Sequence, residues 1–366
     1  MPNSRPHLRV AVLASTLNVG GAERQLAVLG RELRERGHDV AFYMLKEAGP
    51  VGLELREDGF AGEDQILGRP GRWRRTLAEL RTFDALAALD HNNLLRLMPA
   101  VASALPPYVV LFHVAVPATR PAGWLRAMRR AYAVVAVAEA QIAALDLPPE
   151  CRIVVIPNGI PLPEVPSAGD KAGAREALGL PPDATVAATA CRLTTVKGVD
   201  VLIEALATLA EAERPFLAVA GEGPEEGRLE ALAREKLGAN YKFTGVLADV
   251  RPLYRAADFF VLSSYREAMP MAIIEAMSHG LPVIAGDVGD VGVILDGGGG
   301  TAVTPGDAAE LTAAIRKISS SPARRLEQGA LARATVAGRY TVRHMVDRYE
   351  ALFREMAAGG VSDGAP

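Results

Sequence analysis

The stretch FFVLSSYREAMPMAIIEAMSHGLPVIA, residues 259–285, decides the fold. Two short apolar runs, Phe259–Leu262 and Pro282–Ala285, flank a segment with the apolar spacing of a helix, Pro270–His279. A strand, a helix and a second strand in this order form a unit whose two strands lie parallel. Because the two runs are apolar throughout rather than alternating, helices must cover both faces of the sheet.

Similar units recur along the rest of the chain. The other predicted strands are Val10–Ala14, Val40–Leu45, Val109–Phe112, Val134–Val137, Ile153–Ile156, Thr185–Thr189, Phe216–Ala220 and Lys242–Thr244. The other predicted helices are Glu23–Arg36, a helix around Leu77–Arg81, Trp124–Ala131, Val199–Leu209, Glu225–Leu237, Ala308–Ile318 and two within Pro322–Met356. Strands and helices that alternate in this way predict an α/β protein built on parallel sheets.

The length suggests two domains or one large α/β unit, because 366 residues exceed the usual span of about 100–200 residues per domain. The segment Ile156–Asp170 is rich in Pro and Gly and reads as a linker. We therefore expect domains over residues 1–160 and 161–340, followed by a C-terminal segment, residues 341–366. A hydrophobic fraction of 49% excludes disorder as the main state, and a net charge of −3 gives no strong field toward nucleic acid.

The cysteines and the apolar runs indicate the cellular compartment of the protein. Cys151 and Cys191 are far apart in the sequence and match no zinc or disulfide spacing, which favours a reducing environment. No run of about 18 uninterrupted apolar residues is present, and the N-terminal run makes a poor signal peptide. We expect a cytoplasmic protein.

Residues that directly follow strands are the first candidates for a site, because open parallel sheets bind ligands at the carboxyl ends of their strands. Gly20 and Gly21 precede the first helix, where backbone N–H groups suit an anion, although a tight turn explains them equally well. His113 ends a strand and is either a substrate contact or a buried core histidine. The turn Gly221–Pro224 is equally open to a structural and a functional interpretation.

Two cations, Arg192 and Lys197, stand between a strand that ends near Cys191 and a helix that starts near Gly198. Together with the helix dipole they form an arrangement suited to a diphosphate. The alternative is a solvated surface pair. The small or apolar neighbours and the isolation of the two cations argue against that alternative.

Glu267 and Glu275 bracket the start and the middle of the helix in the opening stretch. Glu267 follows the strand Phe259–Leu262, and Glu275 lies within the helix among apolar residues. Because an acidic side chain is seldom buried without a partner or ligand, we expect Glu275 to have one.

Arginines surround both tryptophans of the chain. The first cluster has Trp73 with Arg69, Arg72, Arg74 and Arg75, and the second has Trp124 with Arg120, Arg126, Arg129 and Arg130. A solvated helix face is one interpretation. An anionic lipid surface or acceptor is the other, because cations attract anionic headgroups and Trp favours the membrane interface.

Taken in order, these segments resemble the family 4 glycosyltransferases, also described as group 1, which have the GT-B fold. The resemblance extends from about Val10 to Tyr349. The matching segments are Gly20–Glu23 (GGAE), His113, Val155–Ile160 (VIPNGI), Arg192 with Lys197 and Gly198, Ala220–Pro224 (AGEGP), Glu267 with Glu275 (E-x7-E), Ala276–Ala285, Val303–Asp307 and Tyr340–Phe353.

The resemblance implies two Rossmann-like domains that face each other across a cleft, with C-terminal helices that cross back to the first domain. The first domain would bind an acceptor hydroxyl and the second a nucleotide-diphosphate sugar, with a UDP-sugar favoured. The sugar would be transferred with retention and without a metal or other cofactor, and the sequence contains no DxD motif. The setting implied is polysaccharide or glycolipid synthesis at the inner face of a membrane.

The resemblance also implies roles for single residues. In the second domain, Arg192 and Lys197 would neutralise the departing diphosphate, and Glu275 would bind the ribose. Glu267 would hold the donor sugar together with backbone groups near Met269, Pro270 and Met271, while Gly245 and Val246 would border the base. In the first domain, His113 would contact the sugar near its reacting carbon, Gly20 and Gly21 would approach the phosphates or the acceptor, and Asn158 would bind substrate.

The sequence departs from the family's pattern at two places, and two alternative functions stay open. Ala268 stands where the family usually has Gly, and the loop Gly289–Val293 lacks the family's usual glutamate, so its role is undecided. A sugar-nucleotide epimerase would have the same fold. An NAD-type oxidoreductase predicts GxGxxG with an acidic residue about 20 residues later, and neither occurs in the right setting.

Overall fold

The computed structural model describes residues 7–18, 20–66, 71–89, 105–112 and 124–359. The chain divides into two compact units, one within Met1–Gly159 together with Val342–Pro366 and the other within Ile160–Thr341. Each unit is built on its own parallel sheet of six strands. The parallel α/β fold predicted from the alternation of strands and helices is therefore confirmed.

The sheet of the first unit has the strand order β2-β1-β3-β4-β5-β6. Its strands are β1 (Arg9–Ala14), β2 (Asp39–Met44), β3 (Ala85–Leu89), β4 (Tyr108–Phe112), β5 (Ala133–Ala136) and β6 (Ile153–Val155). The helices described in this unit are α1 (Gly21–Glu35), α2 (Gly49–Glu57), α3 (Arg72–Leu80), α4 (Trp124–Arg130), α5 (Ala140–Leu145) and the C-terminal α14 (Val342–Ala358).

Two hydrophobic clusters cover the two faces of this sheet, as strands that are apolar throughout require. The helix α14 contributes Tyr349 and Phe353 to the cluster that also contains residues of α1 and α2. A buried charge anchors α14 as well. The Glu350 carboxylate accepts hydrogen bonds from Arg36 and Arg354 and lies 3.3 Å from His38 Nε2. Burial alone would raise the pKa of Glu350, but Arg36 and His38 hold it below its ordinary value.

The sheet of the second unit has the order β12-β11-β10-β7-β8-β9. Its strands are β7 (Val186–Ala190), β8 (Phe216–Ala220), β9 (Tyr241–Phe243), β10 (Phe259–Leu262), β11 (Val283–Gly286) and β12 (Gly300–Val303). The helices described here are α6 (Ala168–Leu178), α7 (Val199–Ala207), α8 (Glu226–Leu237), α9 (Arg251–Ala256), α10 (Met271–Ser278), α11 (Val291–Leu295), α12 (Ala308–Ser319) and α13 (Pro322–Arg339).

The strand order creates a switch point in each sheet. In the second unit the chain runs outward from β7 through β8 to β9, then returns to place β10 on the other side of β7. The connections that leave β7 and β10 therefore diverge and open a crevice at the carboxyl ends of these strands, which is where doubly wound sheets bind ligands. The corresponding point of the first unit lies between β1 and β3.

The predicted linker was wrong over its last residues. Ser167 caps a helix that starts at Ala168, because its side chain accepts from the Asp170 backbone N–H while the Asp170 carboxylate accepts from the Ser167 N–H. The strand β12 was also missed, because Gly300–Val303 is only partly buried and has no long apolar run.

Candidate functional site

A pocket of about 740 Å³ opens in the second unit, next to the carboxyl ends of β7 and β8. Arg192 and Val246 line it, together with the turn that follows β8. Both of these side chains are exposed. Burial raises the pKa of the Cys191 thiol in the pocket wall to about 11, so this thiol stays protonated at neutral pH. The pocket thus presents a cation and an apolar edge to a ligand.

The glycines of the turn after β8 are required by close backbone packing. Gly221 has a φ of +124°, and a Cβ there would collide with the carbonyl oxygen of Cys191. A Cβ at Gly223 would meet the carbonyl of Leu193 in the same way. The Gly221 N–H donates to the Gly245 carbonyl oxygen at 2.9 Å, which ties the turn to the segment after β9. Gly221 and Gly223 therefore have a structural cause, and they form one wall of the pocket.

A tight turn carries Lys197 to the switch point of the second sheet. The turn Thr195–Lys197 ends at Gly198, whose φ is +60° and which caps α7. A Cβ at Gly198 would collide with the carbonyl oxygen of Ser263, just beyond β10. The Ser263 hydroxyl donates to the Gly198 carbonyl at 2.7 Å. The loop after β7 is thereby fixed against the end of β10.

Lys197 and Glu267 form an ion pair at this point, with Lys197 Nζ 2.6 Å from Glu267 Oε1. The buried Ser264 hydroxyl donates to the same carboxylate oxygen at 2.7 Å. The side chains of Lys197 and Glu267 are only 24% and 12% exposed, so their mutual attraction is screened less than at a surface. The expectation that Lys197 stands isolated is wrong, because Glu267 reaches it from 70 residues further along the chain.

The loop Gly289–Val293 supports the backbone at Glu267. Gly289 has a φ of +59°, and a Cβ there would meet the carbonyl oxygens of Glu267 and Ala268. The Asp290 N–H donates to the Ala268 carbonyl at 3.0 Å. This loop, whose role was left undecided, therefore holds the segment that carries Glu267.

The helix α10 begins at Met271 directly after this segment, with Pro270 at its N-cap. Pro270 is buried, while Met269 and Met271 are half-buried. Met269 and Met271 pack on the same hydrophobic cluster as the pocket residues Leu247 and Val250. The start of α10 and one part of the pocket wall thus pack against the same hydrophobic cluster.

Glu275 lies in the middle of α10 and has a protein partner, as expected for an acid among apolar residues. The Tyr254 hydroxyl donates to Glu275 Oε2 at 2.8 Å. Burial, followed by the charge of Glu275, raises the pKa of Tyr254 well above its ordinary value, so this hydroxyl stays protonated and remains a donor. Sequence reasoning missed Tyr254, because no spacing rule connects side chains 21 residues apart on two helices.

The remaining predicted site residues belong to the first unit or lie outside the described residues. Gly20 is the N-cap of α1 in an extended conformation, with a φ of −158°, and Gly21 is the first residue of that helix. Gly20 therefore does not have the positive φ for which a tight turn would need a glycine. Asn158 is buried near the end of the first unit. His113 lies outside the described residues.

The two arginine clusters expose fewer of their side chains to an anionic surface or acceptor than the sequence suggests. Trp124 is 1% exposed and lies in the core, so its expected place at a membrane interface is wrong. Trp73 is half-buried, and Arg72 is paired with Glu63 at 3.2 Å. Exposed arginines are Arg74, Arg75, Arg126, Arg129 and Arg130, and Arg129 is paired with Glu150. Arg69 and Arg120 lie outside the described residues.

Over residues 7–18, 20–66, 71–89, 105–112 and 124–359, no group of three or more His, Cys, Asp or Glu side chains is placed to hold a metal ion. No helix in these same ranges is long and apolar enough to cross a membrane.

Comparison with known families places both units. The model of the family described as "Glycosyltransferase Family 4" matches residues 19–163, and the model of the family described as "Glycosyl transferases group 1" matches residues 184–321. Among solved structures, Anabaena Alr3699/HepE in complex with UDP superposes with a TM-score of 0.82 at 22% identity, covering 95% of this chain and 100% of that one. At this identity the likeness shows the fold alone, and the GT-B fold implied by the resemblance is confirmed.

Two curated relatives match part of the chain. The "D-inositol 3-phosphate glycosyltransferase 2" of Catenulispora acidiphila is 34% identical over 175 residues, which cover 44% of this chain. The "Lipopolysaccharide core biosynthesis glycosyltransferase LpsE" of Rhizobium meliloti is 31% identical over 177 residues, which cover 48% of this chain. The matched segments span 41% and 51% of the lengths of these two relatives.

Proposed function

Because this chain belongs to the group 1, family 4 glycosyltransferases, we propose that it transfers a sugar from a nucleotide-diphosphate sugar to an acceptor hydroxyl with retention of configuration. The observation that carries the proposal is the Lys197–Glu267 pair at the switch point of the second sheet, close along the chain to the Arg192 pocket. A half-buried cation next to a carboxylate suits a ligand that has both a diphosphate and sugar hydroxyls. The relatives named as glycosyltransferases support the same activity.

The proposed reaction requires that the protein stabilise negative charge on the departing diphosphate. The bond between the anomeric carbon and the diphosphate oxygen breaks, and the acceptor oxygen bonds to the same carbon. The acceptor proton passes to the departing phosphate oxygen. Negative charge grows on the diphosphate, and cations held in place before the reaction stabilise it at little reorganisation cost. Lys197, held by Glu267, and Arg192 in the pocket are the cations proposed for this task.

The donor we favour is a UDP-sugar, bound with its base next to Val246 and its ribose against Glu275. The apolar edge of the pocket supports the first placement. The position of Glu275 within α10, which starts at the end of the Glu267 segment, supports the second. The solved structure of Alr3699/HepE in complex with UDP-glucose has a related fold, which makes UDP the first nucleotide to test. We propose no metal and no other cofactor.

For the first unit we propose the acceptor site, with His113, Gly20, Gly21 and Asn158 as its residues. The relative named for lipopolysaccharide core synthesis supports a glycolipid or cell-surface polysaccharide acceptor. We also propose peripheral contact with the cytoplasmic face of a membrane. The exposed arginines Arg74 and Arg75 on α3 and those of α4 support this contact, since the two helices pack on the same hydrophobic cluster.

Thermal unfolding in the presence of nucleotides tests the proposed donor site. A ligand that binds only the folded chain raises its apparent stability. We expect UDP and UDP-sugars to raise the melting temperature, and NADH to leave it unchanged. Stabilisation by NADH without any effect of UDP or of other nucleoside diphosphates would favour the oxidoreductase instead.

Sedimentation with vesicles tests the membrane contact separately. The chain should pellet with anionic phosphatidylglycerol vesicles at low salt and be released by high salt, because surface attraction is screened. The double variant R74E/R75E should pellet less. Failure of the unmodified chain to pellet at low ionic strength would remove the membrane proposal and leave the donor site untouched.

A further inference from the structure

The Tyr254 hydroxyl donates a hydrogen bond to Oε2 of the Glu275 side chain at 2.8 Å. Tyr254 lies on α9 and Glu275 on α10, so the bond joins the helix before β10 to the helix after it. A carboxylate on a flexible three-bond side chain turns freely unless a partner fixes it. The hydroxyl therefore selects one orientation of the Glu275 carboxylate.

Neighbouring groups hold the Tyr254 ring in turn. The ring packs against His279 with centroids 5.2 Å apart and against Phe260 with centroids 5.8 Å apart. His279 Nδ1 lies 2.9 Å from the Glu275 carbonyl oxygen, so His279 is fixed to the same turn of α10. Tyr254 is 1% exposed, and water cannot replace its hydroxyl without a rearrangement of this packing.

We propose that Tyr254 is a positioning residue for nucleotide binding, which holds the Glu275 carboxylate in the orientation that receives the ribose hydroxyls of the donor. The inference rests on the proposed function, in which Glu275 binds ribose. Tyr254 itself touches no substrate. It acts through Glu275, so its removal should weaken binding only of ligands that carry the ribose hydroxyls.

The test compares two ligands and three variants by calorimetry on the full chain. The ligands are UDP and 2′,3′-dideoxy-UDP, which lacks both ribose hydroxyls that Glu275 would accept from. The variants are Y254F, E275Q and the matched control Y241F. Tyr241 starts the edge strand β9, and its ring packs edge-on against Phe243.

We expect Y254F to weaken UDP binding about tenfold. This is about the loss in affinity that follows when one hydrogen bond to a charged group is removed. Binding of 2′,3′-dideoxy-UDP should be the same in the unmodified chain, Y254F and E275Q. The double variant Y254F/E275Q should bind UDP no more weakly than E275Q alone, because both changes remove one interaction. Y241F should match the unmodified chain with both ligands.

The possible failures are distinguishable. If E275Q weakens UDP binding and Y254F does not, the positioning role is overturned and the proposed ribose contact stands. If Y254F weakens both ligands equally, or no longer folds, Tyr254 is a structural residue and the inference is again overturned. If E275Q leaves UDP affinity unchanged, the ribose role of Glu275 fails, and with it the inference. If the unmodified chain binds neither ligand, the proposed donor site itself fails.

Discussion

Replacement of Lys197 by alanine should separate the function of the Lys197–Glu267 pair from its contribution to stability. Two unit charges about 4 Å apart attract by about 4 kcal/mol at an effective dielectric constant of about 20. Desolvation and the 24% exposure of Lys197 offset most of this attraction, so we expect K197A to lower the free energy of unfolding by about 1–2 kcal/mol. The loss of a cation positioned on the leaving diphosphate should lower kcat/KM by about 2–4 kcal/mol of transition-state stabilisation.

The second unit offers a matched control in the ion pair of Lys171 and Asp258. Their separation is also 2.6 Å, with side chains 34% and 13% exposed. Asp258 precedes β10, at the amino end of the strand, and also accepts from Arg175 and from the Val186 N–H. Because Arg175 still neutralises Asp258, K171A should cost no more stability than K197A and leave activity unchanged.

The assay is the release of UDP from a UDP-sugar, measured as kcat/KM, together with unfolding by urea for each variant. We expect a loss of activity of about 30- to 900-fold in K197A, which a drop of about 1–2 kcal/mol in folding stability cannot produce while the chain remains folded. Near-normal UDP release by K197A, or an equal loss of activity in K171A, would refute the assignment of Lys197 to the diphosphate.

Three further predictions concern other parts of the chain. R192A should weaken UDP binding by about tenfold without a change in melting temperature, because Arg192 is exposed in the pocket, and R192A/K197A should lose less than the sum of the two single losses in calorimetry. E350Q should lower the free energy of unfolding by about 3 kcal/mol in urea titrations at pH 7, because it removes the buried counter-charge of the half-buried Arg36 and Arg354, and E355Q on the same helix should cost much less. An equal cost for the two changes would contradict the anchoring role of Glu350. UDP release should survive EDTA, and a complete loss that added metal restores would contradict the metal-free proposal.

The stability contributed by Glu350 should depend on pH in a defined direction. Its pKa is lower in the folded chain than its ordinary value of 4.5. The contribution is therefore complete above pH 4.5 and is lost as the pH falls through the lower folded value. The free energy of unfolding of the unmodified chain should decrease below pH 4.5 more steeply than that of E350Q, which has no such carboxylate to protonate. Parallel pH curves for the two chains would contradict this.

The apolar patterning predicted most of the two sheets, because a buried parallel strand is a short continuous run of apolar residues that can be recognised in the sequence. Phe259–Leu262 was predicted with its observed bounds, and Val10–Ala14 differed from β1 by one residue. Less buried elements left weaker marks. The helix α6 was read as the end of a linker, although Ser167 and Asp170 have the spacing of a capping box.

Side-chain pairing at the candidate site could be predicted only in part. Residue types after strands pointed to Lys197 and Glu267 separately, but the 2.6 Å contact depends on how two loops 70 residues apart fold at neighbouring strand ends. The same limit applies to Tyr254, whose role depends on the packing of α9 against α10. Trp124 shows the opposite error, because neighbouring arginines say nothing about which face of a short helix is buried.

The central claim, transfer of a sugar from a nucleotide-diphosphate donor, is tested most directly by NMR of the products formed from a UDP-sugar panel. With at least one UDP-sugar, the chain should release UDP together with a free or transferred sugar that first appears in the anomeric configuration of the donor, and K197A should slow this release by about 30- to 900-fold. Conversion of the UDP-sugar into a stereoisomer with no release of UDP would contradict the claim and identify an epimerase.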